Sequence, residues 1–322
     1  MNPESLIIGG LCFGSTLSRD ESMSFLEKVY SLGIRDVDTG SLYGNGISEI
    51  LIAEYIKKTG NKLRIHSKIG LEKSIRDDGS FGVRVSDLTP YYIEKSILET
   101  YKKFNEKQLY RVSIHAYSNS TEVSSQIKTL RSLMETNIIE NYGICNFNAE
   151  ELSHWIEVCL NKKLPLPKSI DLHFNLFEQR ALNELFPILE ANNISVIPYR
   201  VFCRGLLADR YQESRQLPPN SRASYSWRVK KYVTDEYILY LNNLKDLAKR
   251  KNTNIISLIL NWTLSFKCIS QICIGTSSIN QLDEIVSNLN DLTIKDRTII
   301  KEINNSNLPK NIFDLPVTFF EK

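Results

Sequence analysis

IRDVDTGSLYGNGISEILIAEYIKK, residues 34–58, holds one complete unit of the pattern that decides the fold. It begins with a short run, Ile34 to Thr39, that is β-branched and apolar in its middle and polar at its end. Gly-rich turn chemistry follows, and then an amphipathic stretch opening at Ser48 before an apolar face. The first part reads as a strand and the last as a helix. Asp38 lies at the strand's end and Tyr43 in the turn beyond it.

The same unit recurs outward in both directions. Further strands are expected at Leu6–Gly10, Leu63–Lys68, Tyr110–His115, Asn141–Asn146, Ser169–Asn175, Ser195–Arg200 and Ser270–Gly275. Helical periodicities lie between them. Arg19–Gly33 places Met23, Leu26, Val29 and Tyr30 on one stripe and ends in Gly. Thr89 is set to cap a helix with Pro90 at its first position. Pro187 should bend or shorten the helix that contains it. Asp235–Lys251 reads as an extra helix, and Thr253–Phe266 as a nearly all-apolar, buried one.

Alternating strands and helices argue for a parallel sheet covered by helices, and eight such units favour a closed (β/α)8 TIM barrel. No linker divides the chain, so residues 1–322 are read as a single barrel domain. Gly70–Leu88, Phe202–Thr234 and the tail from about Asn304 to Lys322 exceed short connections. Such long loops belong at the C-terminal face, where barrel active sites are built.

Composition narrows the function. The chain is 42% apolar and 24% charged with a formal charge of +3, as in a soluble globular protein. No sustained basic stripe is present, which argues against a nucleic-acid partner. No apolar stretch is long enough to span a bilayer, and the N-terminus lacks a signal-peptide pattern. The cysteines are scattered without metal-ligand spacing, which suggests buried thiols in a reducing compartment and no metal site. A cytoplasmic protein is expected.

Asp38, Tyr43, Lys68 and His115 sit at or just past consecutive strand ends. Neighbouring strands lie roughly 5 Å apart, so these side chains can meet. A free phenol, with a pKa of about 10, is a weak acid at neutral pH. A neighbouring ammonium lowers that value, so Lys68 is expected to acidify Tyr43 while Asp38 keeps Lys68 charged and aimed. His115 is placed to bond a substrate oxygen. Together these groups suit proton delivery to a carbonyl. His66 should point the same way as Lys68, in a structural role beneath the site.

The segments DTGSLYGNGISE, IHSKIG, VSIHAY and YGICNF, followed by FNLFEQRA, RGLLADRY and IGTSSINQLDEI, resemble those of the aldo-keto reductases, in order, from about Leu6 to Leu289. The resemblance implies a nicotinamide cofactor extended across the C-terminal face and hydride transfer to a carbonyl. There is no GxGxxG after a strand, so no Rossmann site is offered. By position, Asn146 would hold the carboxamide with Cys145, which stands where the family usually has Ser. Asp171 stands where a Gln is common. Gly205 and Leu206 would line the pyrophosphate path, and Arg200 would pair with the pyrophosphate, since Arg200-Val201-Phe202 replaces the family's Ser-Pro-Leu. Gly275, Thr276, Ser277 and Gln281 would meet the adenosine end. That segment has no Lys or Arg for a 2′-phosphate, and Ile285 stands where an Asn commonly contacts adenine. NADP is therefore the family expectation, with NAD use open. Retention of His115 favours C=O over C=C chemistry.

The substrate implied is a small aldehyde, ketone or sugar. Arg222, Tyr225, Trp227 and Arg228 in the loop after Phe202 would suit a polar or phosphorylated ring, and Tyr117 could wall the pocket. The alternative within the same fold is a cofactor-sensing regulatory subunit without turnover, as the potassium-channel β subunits in this family are.

Overall fold

The structure is a computed structural model that describes residues 3–75, 81–105, 107–208, 224 and 227–290. Eight parallel strands close into a barrel: β1 (Leu6–Gly9), β2 (Asp36–Asp38), β3 (Arg64–Ile69), β6 (Leu109–Ile114), β7 (Ile139–Cys145), β8 (Ser169–His173), β9 (Ser195–Tyr199) and β10 (Ile272–Ile274). Their order around the barrel is β1-β10-β9-β8-β7-β6-β3-β2, so each strand neighbours the next in sequence and the ring shuts between β1 and β10. Each strand expected from the sequence is present, with ends shifted by a residue or two. The register sets Asp38 beside His66, Lys68 beside Ser113, Cys145 beside Asp171 and His173 beside Tyr199.

Helices α1 (Arg19–Ser31), α2 (Ile47–Thr59), α3 (Pro90–Lys103), α4 (Val123–Glu135) and α5 (Ala149–Lys162) cover the first half of the barrel. Ser18 and Glu21 form a capping box that starts α1, which buries Phe25, Leu26 and Val29. Met23 and Tyr30, expected on that stripe, are only partly buried, because the face turned to the barrel passes through Phe25. Thr89 caps α3 with Pro90 in its first turn. Ser48 does not open α2. The cap is Gly46 at φ 82°, and the Ser48 hydroxyl instead donates to the Gly10 carbonyl and pairs with Thr39. Pro187 divides the next helical stretch into α6 (Ala181–Glu184) and α7 (Phe186–Ala191).

Beyond β9 come α8 (Trp227–Lys230), α9 (Asp235–Arg250), α10 (Ile255–Leu264) and α11 (Ile279–Asn290). α10 is buried along nearly its whole length, and its Trp262 stacks on Phe174 at 5.1 Å. Tyr237 of α9 donates to the Leu206 carbonyl at 2.5 Å and so ties down the loop that follows β9.

One element departs from a simple connection. Gly70–Leu88, read from sequence as a loop, contains an antiparallel hairpin of β4 (Leu71–Ile75) and β5 (Phe81–Val85). It follows the end of β3 and therefore stands at the C-terminal face. Gly70 at φ 98° makes the entry turn, where a Cβ would come within 2.9 Å of Leu88. Among the described residues no helix is long and apolar enough to cross a membrane. Arg222, Tyr225 and the tail from about Asn304 lie outside the described residues, as do the side chains of Trp227 and Arg228.

Candidate active site

Asp38 is the last residue of β2, and Lys68 stands one residue before the end of β3. Their side chains form an ion pair, Lys68 Nζ to Asp38 Oδ2, with both side chains almost fully buried. The other carboxylate oxygen accepts the Tyr43 hydroxyl at 3.5 Å. Lys68 Nζ is 5.4 Å from the centre of the Tyr43 ring. Tyr43 opens a tight turn in which Gly44, Asn45 and Gly46 all have positive φ, the turn residues that the motif supplies. His115 follows β6 at once, and its ring meets that of Tyr43 edge-on at 6.2 Å. The four residues selected from sequence thus converge on one mouth of the barrel.

The electrostatics differ from the sequence expectation in one respect. Burial pushes the Tyr43 phenol upward and outweighs the Lys68 ammonium, which pulls it down. Tyr43 is therefore not acidified overall. It is a firmly protonated donor whose phenolate would be stabilised chiefly by Lys68. Burial works against the Lys68 ammonium, but Asp38, Tyr43 and Asp171 outweigh it and hold the amine well above its ordinary value. Burial raises the Asp38 carboxyl, with Lys68 opposing and Asp171 adding to the rise. Burial, helped by Lys68, lowers His115 to about 3, so its imidazole is neutral.

The positions matched to a nicotinamide site form an arc around this mouth. Asn146, at φ 61°, donates from Nδ2 to the His115 carbonyl at 3.1 Å and accepts the Tyr199 hydroxyl on Oδ1 at 2.6 Å. Cys145 is buried and donates to Asp171 Oδ2 at 3.4 Å. Asp171 is also taken by Arg111, with its oxygens 2.7 and 3.2 Å from the guanidinium nitrogens. Arg200 follows β9 at φ 57°, and its Cζ is 5.6 Å from the Tyr199 ring centre. Gly205, at φ 92°, and Gly275 both face open space. Leu206 is buried. The Thr276 hydroxyl donates to Gln281 Oε1 at 2.9 Å and accepts the Ser278 amide at 3.1 Å. Ser277 lines a cleft of about 430 Å³ whose lining also includes Asp20 and Glu21. Ile285 is buried in α11.

An amide for a carboxamide, open glycine backbone near guanidinium groups for a diphosphate, and hydroxyls for a ribose form a donor set that fits a nicotinamide dinucleotide.

Beneath the mouth, His66 bonds Asp36 through Nε2 at 2.8 Å and accepts Arg111 Nε at 3.1 Å, which makes it a structural link. Burial lowers its pKa despite Asp36. The Tyr117 hydroxyl and His154 Nδ1 share a hydrogen bond at 2.8 Å, and the Tyr117 and Phe147 rings meet nearly at right angles.

Two residues at the site were not singled out in the sequence. Tyr199 was hidden as the last apolar position of SVIPYR. Arg111 carried a usable signal, because a charge inside a strand on the same face as His115 demands a buried partner.

A family model described as Aldo/keto reductase family matches residues 5–305. An uncharacterized oxidoreductase of Bacillus subtilis, YqkF, is 23% identical over 88% of this chain and 87% of its own length. The L-glyceraldehyde 3-phosphate reductase of Escherichia coli K12 is 22% identical over 89% and 84%. Among solved structures, a glycerol dehydrogenase of Gluconobacter oxydans superposes with a TM-score of 0.77 at 20% identity, covering 93% of this chain and 90% of the other.

Proposed function

The chain belongs to the aldo/keto reductase family and is an NAD(P)-dependent oxidoreductase, and on that premise we propose that it reduces the carbonyl of a small aldehyde, ketone or sugar, or oxidises the corresponding alcohol, with Tyr43 as acid and base at the substrate oxygen. The observation that carries this reading is the convergence of Tyr43, Asp38, Lys68 and His115 on one mouth.

Reduction adds a hydride to carbon and a proton to oxygen. The nicotinamide supplies the hydride when bound. Tyr43 supplies the proton, and the Lys68 ammonium stabilises the phenolate left behind. Asp38 positions both groups through its two oxygens. The neutral His115 ring has an N–H to give the substrate oxygen, which fixes the carbonyl beside the phenol. In the oxidative direction the phenolate takes the proton back.

Asn146 and Cys145, with Asp171 beneath them, would hold the nicotinamide end. Arg200, Gly205 and Leu206 would take the diphosphate, and Gly275, Thr276, Ser277 and Gln281 the adenosine ribose. The acidic wall of the cleft beside Ser277 supports a 2′-hydroxyl over a 2′-phosphate, so NADH is used at least as well as NADPH. The free cysteines among the described residues suit a reducing, cytoplasmic setting, and residues 1–322 are taken as a single barrel domain.

The name of the Escherichia coli relative makes L-glyceraldehyde 3-phosphate the first substrate to try. The test is oxidation of NADH and of NADPH, followed by absorbance, with L-glyceraldehyde 3-phosphate and a panel of aldehydes, ketones and sugars. Turnover that vanishes in Tyr43→Phe supports the proposal. Tight dinucleotide binding without oxidation by any carbonyl would instead make the chain a cofactor sensor.

A further inference from the structure

Where the resemblance leads one to expect a neutral Gln, this chain has a carboxylate, Asp171, buried inside the barrel. A buried charge is tolerated only with a partner. Asp171 has two. Arg111 reaches it from β6 with nitrogens 2.7 and 3.2 Å from its oxygens, and Lys68 Nζ lies 3.9 Å from Oδ2.

Arg111 is itself almost fully buried and hydrogen-bonds through all three of its nitrogens. Its Nε donates to His66, and one terminal nitrogen also bonds the Ser169 hydroxyl. His66 in turn bonds Asp36, which also accepts Arg64 Nε at 2.8 Å. The guanidinium fits because β7 carries a glycine beside it. A Cβ on Gly143 would lie 2.6 Å from the Ser113 hydroxyl and 3.2 Å from Arg111.

We propose that Asp171 is a positioning residue for Lys68: together with Asp38 it clamps the ammonium from across the barrel, and Arg111 holds that second carboxylate in place. The inference rests on the reading of Lys68 as the partner of Tyr43.

Charge balance explains why both residues are present. Lys68 and Asp38 alone are neutral, a second carboxylate would leave a buried negative charge, and Arg111 cancels it. Burial opposes the Asp171 charge, but Arg111 and Lys68 outweigh it and keep the carboxyl below its usual range. The other titratable groups around Lys68 do not compete for the role. Tyr43 and Tyr199 are phenols pushed upward by burial. Cys145 and Cys273 are thiols raised by burial, and His115 is neutral. Asp38 and Asp171 are therefore the two anions that face the amine.

The test reads the Lys68 amine directly and needs no turnover, so an inactive wild type would fail the functional proposal and leave this one standing. Cyanate carbamylates only free-base amines. Its rate at Lys68, followed by peptide mass at alkaline pH, is compared with that at the exposed Lys57 and Lys58 in the same chain. In Asp171→Asn, and in the charge-balanced Asp171→Gln/Arg111→Leu variant, relative labelling of Lys68 should rise about tenfold, the effect of a one-unit fall in its pKa. Asp171→Glu, which keeps the charge, should stay within about twofold of wild type on the same scale. Unchanged labelling in a folded variant overturns the proposal. So does a rise shared by Lys103, whose amine is paired with Glu49 outside the barrel, because that marks a loosened fold. Failure of the charge-balanced variant to fold would make the pair an element of the fold and would overturn the clamp as well.

Discussion

The Tyr43 hydroxyl donates to Asp38 Oδ1 at 3.5 Å, while the second oxygen of the same carboxylate holds the Lys68 ammonium. Acid and cation are thus aligned through one shared group. Removing the hydroxyl alone should abolish proton delivery and disturb little else. Tyr43→Phe is expected to lower turnover by about 10²- to 10⁴-fold, the range of a lost general acid. Dinucleotide affinity, measured by fluorescence titration, should change by less than about threefold, because no positioning group is lost.

Asp38 and Lys68 should be costly to separate and cheap to remove together. Asp38→Asn leaves the Lys68 ammonium with Asp171, 3.9 Å away, as its remaining carboxylate, and should destabilise the fold by up to about 3 kcal/mol, the low end for a broken buried pair. Asp38→Asn/Lys68→Met removes both charges and should be closer to wild type in urea unfolding, though without activity. Equal loss of stability in the single and double variants would contradict a coupled pair.

Cofactor choice should follow the acidic wall beside Ser277. NADPH is expected to bind no tighter than NADH. Ser277→Arg adds a cation at that cleft and should move the ratio toward NADPH by about five- to tenfold, the solvent-screened end of a charge-assisted hydrogen bond. Competitive titrations of both dinucleotides at low and high salt would measure the shift.

Acid stability should report the buried histidines. Burial, aided by nearby arginines, lowers His173 to about 3, against about 6.5 in an unfolded chain. Between those values the unfolded chain binds a proton that the native state refuses, so stability is full above about pH 6.5 and falls as pH drops through the window. Each such histidine contributes a slope of about 1.4 kcal/mol per pH unit. His173→Gln should flatten the urea-derived stability profile by up to that amount between about pH 6 and pH 4.5. A parallel profile would show that His173 is charged in the fold.

Gly143 should resist substitution. Its added Cβ would meet the Ser113 hydroxyl at 2.6 Å and the Ser169 carbonyl at 3.1 Å. Gly143→Ala should cost about 1–3 kcal/mol of stability through overpacking, read as a lower thermal midpoint.

The barrel was legible because its signal is local. Each strand is a short β-branched run that ends in a polar residue, and Thr89 and Pro187 acted on their own helices as their chemistry requires. The cluster of Asp38, Tyr43, Lys68 and His115 at three consecutive strand ends was legible for the same reason, since adjacent strands bring adjacent tips together. Long-range effects were not. Phe25 replaced Met23 on the buried face because packing against the barrel decides between near-equivalent helical positions. Ser48 became a bridge to Gly10, a residue distant in sequence. The β4–β5 hairpin was missed because its strands are short and charged, with alternation too weak to distinguish from a solvated loop. The net rise at Tyr43 depends on how deeply the ring is enclosed, which no residue type reveals.

That hairpin pairs strand to strand with itself and contributes nothing to the barrel's hydrogen-bond ring. It is rooted at Gly70, where an added Cβ would lie 3.8 Å from the His115 backbone nitrogen, so its base abuts the candidate active site. Exchange of its two strands would leave the hydrogen bonds of the closed cylinder intact. The neighbourhood of the candidate site can therefore be altered at this one appendage without re-engineering the scaffold.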